Sequence, residues 1–312
     1  MGSLFNALHT SIDAGAVILI AAMGSLLAER SGMLNLGMEG MMALGAVAAV
    51  VAAGQLTSPL LCLLVGIAAG ALCGLVFGVV TAVIRANQVL TGLALVLLGV
   101  GLANRIGTDF AGTPMSTTFS SWPIPLLHEI PYIGRALFSH DPIVYVAYLV
   151  LPAAASYVLF RTRHGLNVRA IGENAAAADA AGLRVTATRT IYATIGGALA
   201  GMAGGWLVLS LTPTWTQNVT GGRGWVAIAL VIFAYWRPWR VVGGALLFGG
   251  MISLGFLAQD QNWGIPAPVL AMLPYVLTLV LIVLPAFVPS IRARRAGAAP
   301  AGLTLPFYRE AR

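Results

Sequence analysis

Two segments carry polar residues whose types and spacing could do chemistry. In Glu29 to Ala46, ERSGMLNLGMEGMMALGA, the amide of Asn35 and the carboxylate of Glu39 interrupt a run of apolar residues and glycines. An ionised group inside a hydrocarbon layer costs about 3 kcal/mol or more unless it faces water or a partner, so Glu39 is a candidate for a solute path or a titrating group. The competing expectation is that Glu39 sits at the N-terminal dipole of its own helix and bonds the backbone. Asn87, Gln88 and Asn104 flank a later apolar run, and Trp215, Gln217, Asn218 and Trp225 surround the glycines Gly221 to Gly224. Aromatic faces beside amides suit a sugar or a nucleobase, although tryptophans also gather at membrane interfaces. Asn35, Glu39, Asn87 and Trp225 are therefore the candidate pathway residues.

The second segment is Ala170 to Val185, AIGENAAAADAAGLRV. Asn174 is a suitable cap for a helix over Ala175 to Ala181, and Gly182 can end it in the left-handed conformation. A two-turn helix of methyl side chains is marginal alone, so it needs a surface to dock on unless it is a plain solvated connector. Other chemistry lacks its residues. The chain has no lysine, which excludes a P-loop, and it offers no Ser, His and Asp set or paired carboxylates. No enzyme activity is expected. The four histidines, His9, His128, His140 and His164, stand singly in the sequence, and no metal-ligand cluster is expected from them.

The elements that hold these segments must be transmembrane. Hydrophobic residues make up 59% of the 312 residues and charged residues 9%, far from soluble composition. Long charge-free runs, broken at Gly54 to Pro59, Gly221 to Gly224 and Pro266 to Pro268, predict spans near 12–28, 38–54, 60–84, 88–105, 142–160, 188–212, 224–236, 241–257 and 268–288. The 224–236 span is short enough to be tilted, re-entrant or broken. The expected fold is an all-α polytopic transmembrane helix bundle of about eight to ten spans. All 17 basic residues are arginines, and 14 of them fall on one side if the Arg161 to Arg189 loop is cytoplasmic, against Arg105, Arg135 and Arg223 on the other. That asymmetry implies a multi-pass protein with a cytoplasmic C-terminus and speaks for membrane lipid, not nucleic acid, as the basic residues' partner. Residues 1–291 form the expected membrane domain, with an extracytoplasmic loop at 106–141 and a basic cytoplasmic loop at 161–189. Residues 292–312 form a tail expected to be loosely ordered. Glycines at intervals of four, Gly66 to Gly78 and Gly197 to Gly205, predict close helix packing, with a subunit interface as the alternative.

The segments Glu29 to Gly40 and Gly172 to Val185, supported by NQVLTGLAL at Asn87 to Leu95 and GWVAIALVIFAYWRPW at Gly224 to Trp239, resemble the permeases of bacterial ABC importers for simple sugars and nucleosides. Asn35, Gly37, Glu39 and Gly40 point to the nucleoside-type branch and its shorter permease, although Val96 stands where the family often has a polar residue. The resemblance implies an inner-membrane assembly of two permeases, the second being a longer homologue or another copy of this chain. It also implies two ATPase subunits and an extracytoplasmic solute-binding protein. ATP and Mg would sit on the ATPases, leaving no cofactor in this chain. It further implies that Glu173, Asn174, Ala177, Ala178, Asp179 and Gly182 belong to the coupling helix that enters a groove of the ATPase. The residues alone leave a second possibility, a proton- or ion-coupled secondary transporter using Glu39.

Overall fold

The computed structural model describes residues 2–125, 128–130, 133–287 and 299–309. In chain order its helices are α1 (Gly2–Arg30), α2 (Met38–Ala53), α3 (Pro59–Gly78), α4 (Gln88–Gly107), α5 (Ile133–Phe138), α6 (Pro142–Tyr145), α7 (Leu151–Arg161), α8 (Arg163–Glu173), α9 (Ala175–Ala180), α10 (Val185–Trp206), α11 (Arg223–Phe233), α12 (Pro238–Asp260), α13 (Ala267–Ala271) and α14 (Leu273–Phe287). The described residues contain no strand, only isolated bridges between 111–114 and 214–215. Wider π-turns at Val79–Val83 and Leu207–Leu211 lengthen α3 and α10, and a third at Val146–Val150 joins α6 to α7. Six helices are thereby long and apolar enough to cross a membrane: Phe5–Arg30, Pro59–Val83, Gln88–Phe110, Pro142–Arg161, Val185–Leu211 and Pro238–Asp260. The other three expected spans are shorter apolar helices, Met38–Ala53, Arg223–Phe233 and Ala267–Leu281.

Helix α1 is the hub. Its residues Val17 to Ala22 are wholly buried, which fits a sequence apolar on every face. The glycine stripes of α3 and α10 face each other. A methyl group on Gly74 would lie 2.5 Å from Ala193 O and 3.0 Å from Gly197 Cα, and one on Gly66 would lie 2.8 Å from Gly45 O. The stripes therefore serve packing within the chain, where lipid offers no hydrophobic drive and close backbone contact must supply the attraction. Helix α4 is the opposite of α1, with Leu90, Leu97, Leu98 and Leu102 all exposed.

Helices α2 and α11 are half-spans. At 1.5 Å per residue their 16 and 11 residues reach about 24 and 16 Å, short of a hydrocarbon layer of about 30 Å. Each follows a non-helical stretch, 31–37 before α2 and 212–222 before α11. Irregular backbone at membrane depth survives only where protein covers it, and Asn35 is indeed fully buried.

Several arginines gather at one end of the bundle. The guanidinium groups of Arg30 and Arg169 lie over the Phe160 ring, at 5.6 and 5.2 Å from its centroid, at the end of the bundle that carries α8 and α9. Arg85 joins them over Tyr308 at 5.2 Å. Arg105 pairs loosely with Asp109, at 3.9 Å. Arg223, expected beyond the opposite surface, instead starts α11, and its Nη1 donates to Val219 O and Thr220 O, each at 3.1 Å. Arg292, Arg294, Arg295 and Arg312 lie outside the described residues.

Candidate functional site

The two half-helices meet at Glu39. Its Oε1 accepts from the Thr220 hydroxyl at 2.5 Å and from Gly222 N at 2.8 Å, and its Oε2 accepts from Gly224 N at 2.6 Å. Backbone N–H groups at a helix start have no partner within the helix and attract an anion. Glu39 is that anion for α11, so a side chain in the first turn of one half-helix caps the other. Gly222 makes this possible because the chain turns there at φ +79°, a conformation that a Cβ resists. Asn35 sets up the approach, its Oδ1 accepting from Gly37 N at 2.8 Å and its Nδ2 touching Met41 Sδ at 3.3 Å. Gln88 Oε1 holds the same stretch by accepting from Leu34 N at 2.7 Å.

Of the four pathway candidates, the structure brings Asn35, Glu39 and Trp225 to this junction and leaves Asn87 apart. Asn87 is exposed and caps α4, accepting from Val89 N at 2.9 Å and Leu90 N at 3.1 Å. Trp225 follows Gly224 directly and is 36% exposed. Further along α4, Asn104 and Asn218 exchange hydrogen bonds of 2.9 Å in both directions, an exposed amide pair beside leucines. Thr220 and the amides of Gly222 and Gly224 were not singled out from sequence. Each is 181–185 residues from Glu39, and nothing local marks the pairing.

At the Arg-rich end, α9 forms where expected. Asn174 Oδ1 accepts from Ala177 N at 3.0 Å. At the other end Leu183 N donates to Ala178 O at 3.0 Å and Gly182 N to Asp179 O at 2.9 Å, with Gly182 at φ +84°. This is the two-bond left-handed stop that glycine favours. The helix has two unlike faces. Ala176, Ala177, Ala180 and Ala181 are exposed, whereas Ala178 is buried with Ile171 and Val185.

The covering group is the chain's own tail, and here the expectation of loose order is corrected for residues 299–309. Gly302 N donates to Gly172 O at 2.8 Å, Ala301 N donates to Glu173 Oε2 at 3.1 Å, and Arg189 Nη1 donates to Leu305 O at 3.0 Å. Phe307 packs against the cluster around Ala178, and Arg309 Nε lies 3.5 Å from Asp179 Oδ2. Glu173 and Asp179 are thus engaged from within, and Ala178 faces inward because Phe307 supplies the apolar cover that methyl groups lack. Of the expected contact residues, Ala177 is the one whose side chain stands clear.

The expectation that the histidines stand singly also needs correction: His9 and His140, 131 residues apart in sequence, meet at Asp13. Helix α1 carries two of these groups one turn apart, and the segment before α6 supplies the third.

A family model described as "Branched-chain amino acid transport system / permease component" matches residues 8–284, nearly the whole described bundle. The chain belongs to this permease family. Among its relatives are a putative glucose ABC transporter permease of Haloferax volcanii, 36% identical over 82% of this chain and 78% of its own length, and a guanosine ABC transporter permease of Bacillus subtilis, 31% identical over 91% and 92%. A nucleoside ABC transporter permease of Lactococcus lactis is 32% identical over 86% of this chain and 88% of its own. No solved structure matches the permease. The match runs from α1 into α14, so both half-helices and α9 lie within the part shared with the family.

Proposed function

We propose that this permease carries nucleosides or related simple sugars into the cell, driven by separate ATPase subunits that dock on α9. The observation that carries the proposal is the build of α9: a short helix, capped at both ends, braced on one face and bare on the other. Methyl groups on the free face allow a partner's groove to approach closely, and the bracing spares the partner the entropy of ordering the helix. The arginine distribution supports a cytoplasmic position for that end and for the C-terminus, in a cytoplasmic membrane. The opposite end would then receive solute from an extracytoplasmic binding protein.

The solute class rests on the relatives, named for guanosine, nucleosides and glucose, and on the polar groups near α4 and α11. A cavity of about 200 Å³ beside Arg223, Val226 and Tyr275 is smaller than the usual small-molecule site of about 300–1,000 Å³. A path bounded by a second permease copy or homologue fits better, with Trp225, Asn104 and Asn218 on its wall. ATP and Mg would belong to the ATPase subunits.

The secondary-transporter reading loses support at Glu39. All three of its hydrogen-bonding partners belong to the protein and fix it as a cap on α11, and the relatives are named as ABC transporter permeases. Uptake of labelled guanosine in cells carrying the permease and its ATPase tests the solute class. Excess unlabelled nucleoside should reduce uptake at least about ten-fold, which is about 1.4 kcal/mol of discrimination if glucose and ribose leave it unchanged. Uptake of labelled glucose but not of labelled guanosine would move the assignment to sugars, and uptake of neither would reject the class.

A further inference from the structure

His9, Asp13 and His140 form a cluster at the end of the bundle away from α9. His140 Nδ1 lies 2.6 Å from Asp13 Oδ1, and His9 Nδ1 lies 3.1 Å from Asp13 Oδ2. The three ligand atoms all lie within 4.8 Å of one another. Both remaining ring nitrogens also face oxygens, His140 Nε2 at 3.0 Å from Ala136 O and His9 Nε2 at 3.3 Å from Ser139 O.

Donor counting makes this arrangement informative. Four ring nitrogens face four oxygen acceptors, yet two neutral imidazoles carry only two N–H donors. Protons alone would need four donors among two rings stacked 4.2 Å apart and one carboxyl group. A divalent cation satisfies the cluster differently. Both Nδ1 lone pairs and the carboxylate turn to the metal, while both Nε2–H groups donate to backbone carbonyls. A metal-bound histidine is commonly oriented by such a carbonyl on its other nitrogen.

We propose that His9, Asp13 and His140 bind a divalent cation of the Zn²⁺ class. Imidazole and carboxylate ligands suit it, and three protein ligands leave a fourth position for water. His140 is 1% exposed and fixes the inner side of the site, while Asp13 at 21% and His9 at 37% leave an entry from solvent. The metal joins α1 to the segment 136–140, which leads through Asp141 into α6. Asp141 does not compete for it. Its Oδ1 accepts from Ile143 N and Val144 N, and its Oδ2 from Trp206 Nε1 and Ser210 Oγ. Tyr145, whose ring lies edge-on to His140 at 6.4 Å, and Tyr148, bonded to Ile12 O, complete the polar surroundings.

Equilibrium dialysis of the full-length permease, purified in lipid nanodiscs without a polyhistidine tag, against Zn²⁺ tests the site. One Zn²⁺ per chain is expected, with affinity at least about ten-fold weaker in His9→Gln and in Asp13→Asn. His9 is the more exposed ligand, so its variant should fold even if Asp13→Asn does not. Co²⁺ substitution gives a second readout, because the wild type should show the absorption of a low-coordinate cobalt site and His9→Gln should lose it. Equal Zn²⁺ binding by wild type and His9→Gln, or absence of stoichiometric binding in the wild type, overturns the proposal in favour of a proton-only cluster.

Discussion

Ala177→Trp is expected to leave the permease in the membrane at normal levels while removing most of its hold on the ATPase. The side chain at 177 is a methyl group on the exposed face of α9, outside the membrane-spanning helices, so an indole there projects from a surface that the described residues leave open. It does meet any groove shaped for methyl groups. Overpacking a close-fitting contact costs about 1–3 kcal/mol, or roughly five- to 150-fold in affinity. Solute-stimulated ATP hydrolysis by the purified complex should fall by at least about ten-fold, and less ATPase should co-purify. Unchanged stimulation and retention would remove α9 from the coupling role. Position 178 gives a useful contrast. Ala178→Trp would collide with Ile171, Val185 and Phe307, unseating the tail whether or not a partner is present. Only the exposed position separates coupling from internal packing.

Glu39→Leu should act inside the membrane, and on assembly before transport. It leaves Gly222 N and Gly224 N without an acceptor in a buried site, because Glu39 itself is 5% exposed. Each orphaned donor costs about 1–3 kcal/mol, giving a loss of roughly 2–6 kcal/mol if the Thr220 hydroxyl finds another acceptor. Glu39→Gln keeps one acceptor oxygen but turns an NH₂ group toward N–H donors, so it should recover only part of that loss. The check is thermal unfolding of the permease in nanodiscs, with Glu39→Gln falling between wild type and Glu39→Leu. Wild-type stability combined with lost uptake would instead make Glu39 a group that contacts solute.

What the sequence made legible follows from the range of the interactions. Helix α9 was readable because its signals are local: Asn174 caps three residues ahead, and the stop at Gly182 closes on bonds spanning three and five residues. The glycine stripes were readable for the same reason, since an interval of four marks one helix face whatever packs on it. Composition alone carried the spans, including the shortness of α11, expected over 224–236 and found at Arg223–Phe233. Glu39 was legible as an anomaly and not as a cap, because its partners lie across the fold. The tail contacts and the His9–Asp13–His140 cluster were invisible for the same cause. Residues 300–309 have no periodic pattern that foretells their turn docking against Gly172 and Arg189, and an isolated histidine carries no information about another 131 residues away.

The most direct test of the central claim is the energy source of transport in proteoliposomes holding the permease with its partner ATPase and second permease subunit. Labelled nucleoside, delivered with the solute-binding protein on one side, should accumulate only when ATP and Mg are present on the side of α9. It should continue undiminished when an ionophore collapses every ion gradient. Accumulation that persists without ATP and stops with the ionophore would contradict an ATP-driven permease and return Glu39 to consideration as a titrating group.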